Sequence, residues 1–116
     1  MKPSRFIDIN TTALSAIEAT LTEHSLPYTE VITWSTDGFF RETKAKVAYR
    51  KAEGCSIVEM ECAALAACAQ LRSAVWGELL FTADTLADSE SYNERDWGIA
   101  SYERALQLCF DAVVWL

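Results

Sequence analysis

The sequence is short of the residues that most directly advertise a function. It holds one histidine, His24, and four cysteines at positions 55, 62, 68 and 109, none in a CxxC pair. That spacing argues against a metal site or a disulfide framework, and the reading is reduced, buried thiols, with Cys62 and Cys68 acting as small hydrophobes in an apolar helix. Positive charge is scarce: ten Lys and Arg stand against seventeen Asp and Glu, for a net charge of −7. With no basic patch to offset the repulsion, nucleic acid and anionic membranes are excluded as expected partners. No apolar run approaches the length of a membrane span. Residues 1–10 carry no apolar core of the secretory kind, so the expected location is the cytoplasm. Internal repeats and low-complexity segments are absent.

What is present is a globular composition. Hydrophobic residues make up 51% and charged residues 23% of 116 positions. That length predicts one domain, residues 1–116, with a modest core. Helical spacing of Leu14, Ile17 and Leu21 predicts a first helix from Thr12 to His24, stopped by Pro27. Tyr28 to Ser35 reads as a strand and Thr36-Asp37-Gly38 as a turn. A second helix is expected over 42–53, burying Ala45, Ala48, Tyr49 and Ala52, with its lysines and Arg50 in water. Gly54 suits its left-handed end. Cys55–Val58 reads as a strand, Met60–Leu71 as an Ala-rich helix and Ala74–Ala83 as a third strand. Residues 85–96 read as a loop. A final helix is expected over 97–115, with Leu106, Cys109 and Val113 on its inner stripe. Alternation of this kind predicts an α/β fold with a mostly parallel sheet.

In such sheets ligands bind beyond the carboxyl ends of the strands. Phe39 follows the first strand, Glu59 and Glu61 the second, and Asp84 the third. Each also has an ordinary reading. Two carboxylates at a strand-to-helix junction serve equally as a helix cap, Asp84 as a turn residue, and one of Phe39 and Phe40 as core. The chemistry nevertheless suits a nucleoside. An ionised carboxylate is a pure acceptor with two oxygens and can hold two neighbouring ribose hydroxyls. The helix dipole favours an ionised Glu61. Met60 offers an adaptable surface to the sugar and Phe39 a ring. A neutral Asp84 carboxyl can donate a proton to a departing base.

Three segments, Ser35-Thr36-Asp37-Gly38-Phe39-Phe40, Val58-Glu59-Met60-Glu61-Cys62-Ala63-Ala64 and Phe81-Thr82-Ala83-Asp84, resemble in order and spacing the C-terminal signatures of the nucleoside phosphorylase family. That family includes purine nucleoside phosphorylases, uridine phosphorylases and methylthioadenosine nucleosidases. The resemblance implies a three-layer α/β fold with a mostly parallel sheet, here truncated at the N-terminal half. It implies that Glu61 holds the ribose 2′ and 3′ hydroxyls, Met60 packs on the ribose, Glu59 lines the sugar site, Phe39 contacts the base and Asp84 protonates a leaving purine. It implies phosphate as co-substrate and no other cofactor, with water as nucleophile or a non-catalytic nucleoside-binding remnant as alternatives. The family's phosphate-holding arginines and glycine-rich strand end have no counterpart in these 116 residues. The arginine that usually supports the Asp is out of register at Arg95. The expected partners are therefore a nucleoside or purine base and either a second copy or another chain supplying the missing half. Little or no turnover is expected of the chain alone.

Overall fold

The computed structural model describes residues 4–82, 84–85, 93–94 and 96–116, with side chains over 4–82 and 98–116. Two compact units are present, one of Met1–Thr11 with Tyr28–Gly77 and one of Thr12–Pro27 with Glu78–Leu116.

The first unit follows the expected alternation. Strand β1 (Ile32–Ser35) leads through a short 3-10 turn (Phe39–Arg41) to helix α2 (Lys44–Ala52). Strand β2 (Cys55–Glu59) then leads into helix α3 (Cys62–Arg72). The strands are parallel, with Trp34 opposite Val58 and Ser35 opposite Glu59. Both carboxyl ends therefore lie on one edge. Thr43 caps α2 by accepting from the Lys46 N–H, and Gly54 (φ 89°) ends it in the left-handed region that glycine adopts without strain.

Packing departs from the expected pattern. Helix α2 buries none of its residues, and Tyr49 is half exposed. It covers the buried Trp34 with cations instead: Lys46 Nζ and the Arg50 guanidinium each lie 5.7 Å from the indole centroid. The aliphatic stems of these side chains shield the ring while their charged ends stay near water. Beside them Glu53 accepts from Arg50 at 2.8 Å and from Arg5 at 2.6 Å. Of the thiols, Cys55 and Cys62 are buried, but Cys68 and Cys109 are exposed, and no disulfide joins any of them. Small size lets Cys62 and Ala66 turn inward together on α3; Cys68 lies on another face of the same helix.

The second unit holds α1 (Thr11–Glu23, whose first residue belongs to the first unit), a two-residue hairpin of β3 (Asp84–Thr85) with β4 (Asn93–Glu94), a 3-10 segment (Asp96–Ser101) and α4 (Tyr102–Val113). Its core is Ala13, Ala16, Thr20, Leu21 and Leu108. The inner stripe of α4 is thus centred on Leu108, whereas Leu106, Cys109 and Val113 are exposed. On α1, the small residues Ala13 and Ala16 reach the interior ahead of Leu14 and Ile17. His24 Nε2 meets Asp111 Oδ2 at 2.8 Å and links the end of α1 to α4.

The third parallel strand expected over 74–83 is not formed: its described part, 74–82, is irregular. Among the described residues the parallel sheet has two strands, β1 and β2. A run such as Leu79-Leu80-Phe81 makes a doubly buried strand only where a ladder partner and a layer on each face receive it; here Leu80 and Phe81 are 38% and 39% exposed. Residues 6–9 are irregular as well. The expected loop over 85–96 carries the paired ends of β3 and β4, and its remainder, 86–92 and 95, lies outside the described residues, as does Ala83. No helix among the described residues is long and apolar enough to cross a membrane.

Two consequences are measurable. Helix α3 ends on Ser73 in the left-handed region (φ 54°), with Ala74 N–H returning to the Ala69 carbonyl at 2.9 Å. Glycine occupies that conformation without the Cβ penalty, so Ser73→Gly is expected to stabilise the chain by up to about 1 kcal/mol in urea unfolding. The second concerns acid. Partial burial opposes ionisation of Glu53, but hydrogen bonds from Arg50 and Arg5 outweigh it and hold its carboxyl below the usual range. Hydrogen bonds from His24 and Gln107 lower Asp111 likewise. A depressed carboxyl contributes stability that is complete above its unfolded-state value and is lost as pH falls through its folded value. Urea midpoints are therefore expected to fall as pH drops below the ordinary carboxylate range, and to fall less steeply in the double variant Glu53→Gln/Asp111→Asn.

Candidate active site

The junction between β2 and α3 is organised by one carboxylate. Glu59 closes β2, and its backbone carbonyl accepts from Thr36 N–H at 2.8 Å, which ties it to the chain just past β1. Its side chain then turns toward the helix. Oε2 accepts from the backbone N–H of Glu61 at 2.7 Å and from that of Cys62, while Oε1 accepts from the Ser35 hydroxyl. Ser35 Oγ in turn accepts from Ala63 N–H at 3.0 Å. The first N–H groups of a helix have no partner within it; here two side chains outside the helix meet those of Cys62 and Ala63. The cap reading therefore holds for Glu59. An incoming anion would find both N–H groups already engaged.

Glu61 is different in kind although it lies two residues away. It occupies the N-cap position with φ −122° and ψ −30°, makes no side-chain bond to the helix, and is exposed. One oxygen, Oε2, accepts from Met60 N–H at 3.2 Å; Oε1 has no protein partner among the described residues. A carboxylate there lies at the positive end of α3, a favourable place for negative charge. Met60, between the two acids, is 49% exposed.

Phe39 stands in the 3-10 turn beyond β1, on the same sheet edge as the Glu59–Glu61 segment. It is 79% exposed, and Phe40, stacked edge-to-face on it at 5.8 Å between centroids, is 74% exposed. Neither ring is core, contrary to the expectation for one of them. Gly38 makes the arrangement possible, since a Cβ at that position would fall 2.6 Å from the Phe40 ring. Arg41 is paired with Asp37 at 3.2 Å, with both groups exposed to solvent. Asp84 lies in β3 of the second unit, its backbone opposite Glu94; its side chain is outside the described residues.

Phe39, Glu59, Met60 and Glu61 thus share one unit and one sheet edge. Ser35 joins them through hydrogen bonds that its sequence position did not disclose, although the strand register placing it opposite Glu59 is the signal that would have found it. A separate open cavity of about 370 Å³ lies in the same unit toward the far end of α3, bordered by Asp8, Asn10, Gln70 and Trp76. It does not include the junction residues.

Comparison with known proteins adds one match. A family model described as the phosphorylase superfamily covers residues 3–114. No curated protein matches the chain.

The division between the two acids has a direct test. Glu59→Ala removes acceptors from two helix-initiating N–H groups and is expected to cost about 1–2 kcal/mol in urea unfolding. Glu61→Ala is expected to stay within about 0.5 kcal/mol of the parent.

Proposed function

The chain belongs to the nucleoside phosphorylase family, within the phosphorylase superfamily, and from that premise we propose that it binds a purine nucleoside through the β2–α3 junction. Glu61 holds the ribose diol, Met60 packs on the sugar and Phe39 meets the base. Glu59 borders the sugar site and keeps Glu61 in place. Asp84 is the proton donor to the departing base, a role that rests on the signature Phe81-Thr82-Ala83-Asp84 alone.

The observation that carries this reading is the state of Glu61. In a cluster where the neighbouring carboxylate is fully engaged, its own is exposed, next to a helix N-terminus, and has one oxygen with no protein partner among the described residues. Such a group can accept from two hydroxyls together, and ionised acceptors make the stronger hydrogen bonds.

The reaction proposed is cleavage of the N-glycosidic bond with phosphate as nucleophile. The sugar develops oxocarbenium character as the bond breaks, and fixed charge aimed at that developing charge supplies the main stabilisation. Proton donation by Asp84 makes the base a better leaving group. Arg41, the one arginine near this edge among the described residues, is paired with Asp37, so the phosphate site is assigned to residues outside this edge. Slow turnover, or none, is proposed for these 116 residues by themselves.

The test is calorimetric titration with adenosine, inosine and uridine. Binding of the purine nucleosides is expected, and Glu61→Ala is expected to weaken it roughly ten- to a hundredfold, the range for a charge-assisted hydrogen bond. Absence of binding by the parent chain, or an unchanged affinity in Glu61→Ala, would sink the reading. Base release compared in phosphate and phosphate-free buffer separates phosphorolysis from hydrolysis.

A further inference from the structure

We propose that Ser35 is a positioning residue for the ribose site, acting on Glu61 through Glu59. The proposal rests on the reading of Glu61 as the ribose ligand and gives Ser35 a role that the resemblance does not assign.

Ser35 and Glu59 end adjacent parallel strands in direct register. The Ser35 hydroxyl is used twice: it donates to Glu59 Oε1 and accepts from Ala63 N–H at 3.0 Å. Glu59 Oε2 is thereby turned toward the N–H groups of Glu61 and Cys62. The bond to Glu61 N–H, at 2.7 Å, falls on the backbone of the proposed ligand residue itself. It restrains rotation about the Glu61 N–Cα bond and so the direction in which the Cα–Cβ bond leaves the chain.

A cap alone would need less. One short side-chain acceptor at the N-cap position satisfies a helix start. Here the N-cap residue, Glu61, makes no such bond, and its work is done from two positions earlier and from the neighbouring strand. That arrangement frees the Glu61 carboxylate while fixing its backbone on both sides: Glu59 is anchored to Thr36 N–H before it, and Ala63 to Ser35 after it. Support of this kind, in which a ligating group is held by partners that never touch the ligand, tightens geometry without consuming the ligand's own acceptors.

The prediction separates the sugar hydroxyls from everything else the nucleoside offers. The full chain is titrated with adenosine and with 2′,3′-dideoxyadenosine, which has no diol for Glu61 to hold. Ser35→Ala is expected to lower adenosine affinity roughly tenfold and leave the dideoxy analogue unchanged, while Ser35→Thr, which keeps the hydroxyl, restores adenosine binding. Amide exchange at Glu61 and Cys62 is expected to quicken in Ser35→Ala and not in Ser35→Thr. If Ser35→Ala does not fold, Glu59→Gln takes its place, since its amide offers one acceptor oxygen where the carboxylate offers two; the same adenosine-specific loss is expected. An equal loss for both nucleosides, or none for adenosine, overturns the proposal. Should Glu61→Ala also keep its preference for adenosine over the dideoxy analogue, the ribose reading itself has failed. Should Glu61→Ala lose that preference while Ser35→Ala retains it, only the role of Ser35 has failed.

Discussion

A buried or half-buried carboxylate has to find donors, and the N-terminus of a helix has donors to spare. The Glu59 side chain satisfies both needs together. It sits at the last residue of β2, within reach of the unpaired N–H groups that open α3, and it takes a third donor from the adjacent strand. The strand, the turn and the helix start are coupled through that one group. Neutral acceptors would make weaker bonds to the same N–H groups, and a shorter acid at position 59 would not span from β2 to both Glu61 and Ser35.

The coupling explains how two glutamates in three residues avoid competing. Like charges this close favour separation. Glu59 has its charge spread over donors from Ser35, Glu61 and Cys62, and Glu61 faces solvent at the positive end of the helix. One acid becomes scaffold and the other stays available. The same economy appears around Trp34, where Lys46 and Arg50 cover an aromatic ring that a helix of small residues, Ala45, Ala48 and Ala52, does not cover. In both places polar groups do structural work that the apolar pattern would have given to hydrophobes.

Apolar surface is correspondingly generous. Phe39, Phe40, Leu71 and Val114 are each more than seventy per cent exposed. In Phe39 this exposure is compatible with a ring that waits for a base. Phe40 owes its position to the open space above Gly38. Leu71 follows from a different cause: α3 turns Cys62 and Ala66 inward, and a residue nine positions after Cys62 falls on the opposite side of a 3.6-residue helix.

Local chemistry was legible in the sequence. The first helix, the β1–α2–β2–α3 order, the end of α2 at Gly54 and the three signature segments all depend on residues within a few positions of one another, where periodicity and turn preference act. The resemblance gave the two acids at the β2–α3 junction different roles, but the residues beside them did not say which carboxylate is engaged, since both precede a helix start by a residue or three. What lies across from a residue is not written beside it. The covering of Trp34 by cations was decided by neighbours distant in sequence, and the exposure of Cys68 and the irregular backbone over 74–82 are seen only in the folded chain. The sequence by itself determined family, the β1–α2–β2–α3 order and the position of the two acids after β2. Only the tertiary structure decided which acid is free, because that choice is made by the Ser35 hydroxyl, which comes into register with Glu59 only when two strands pair.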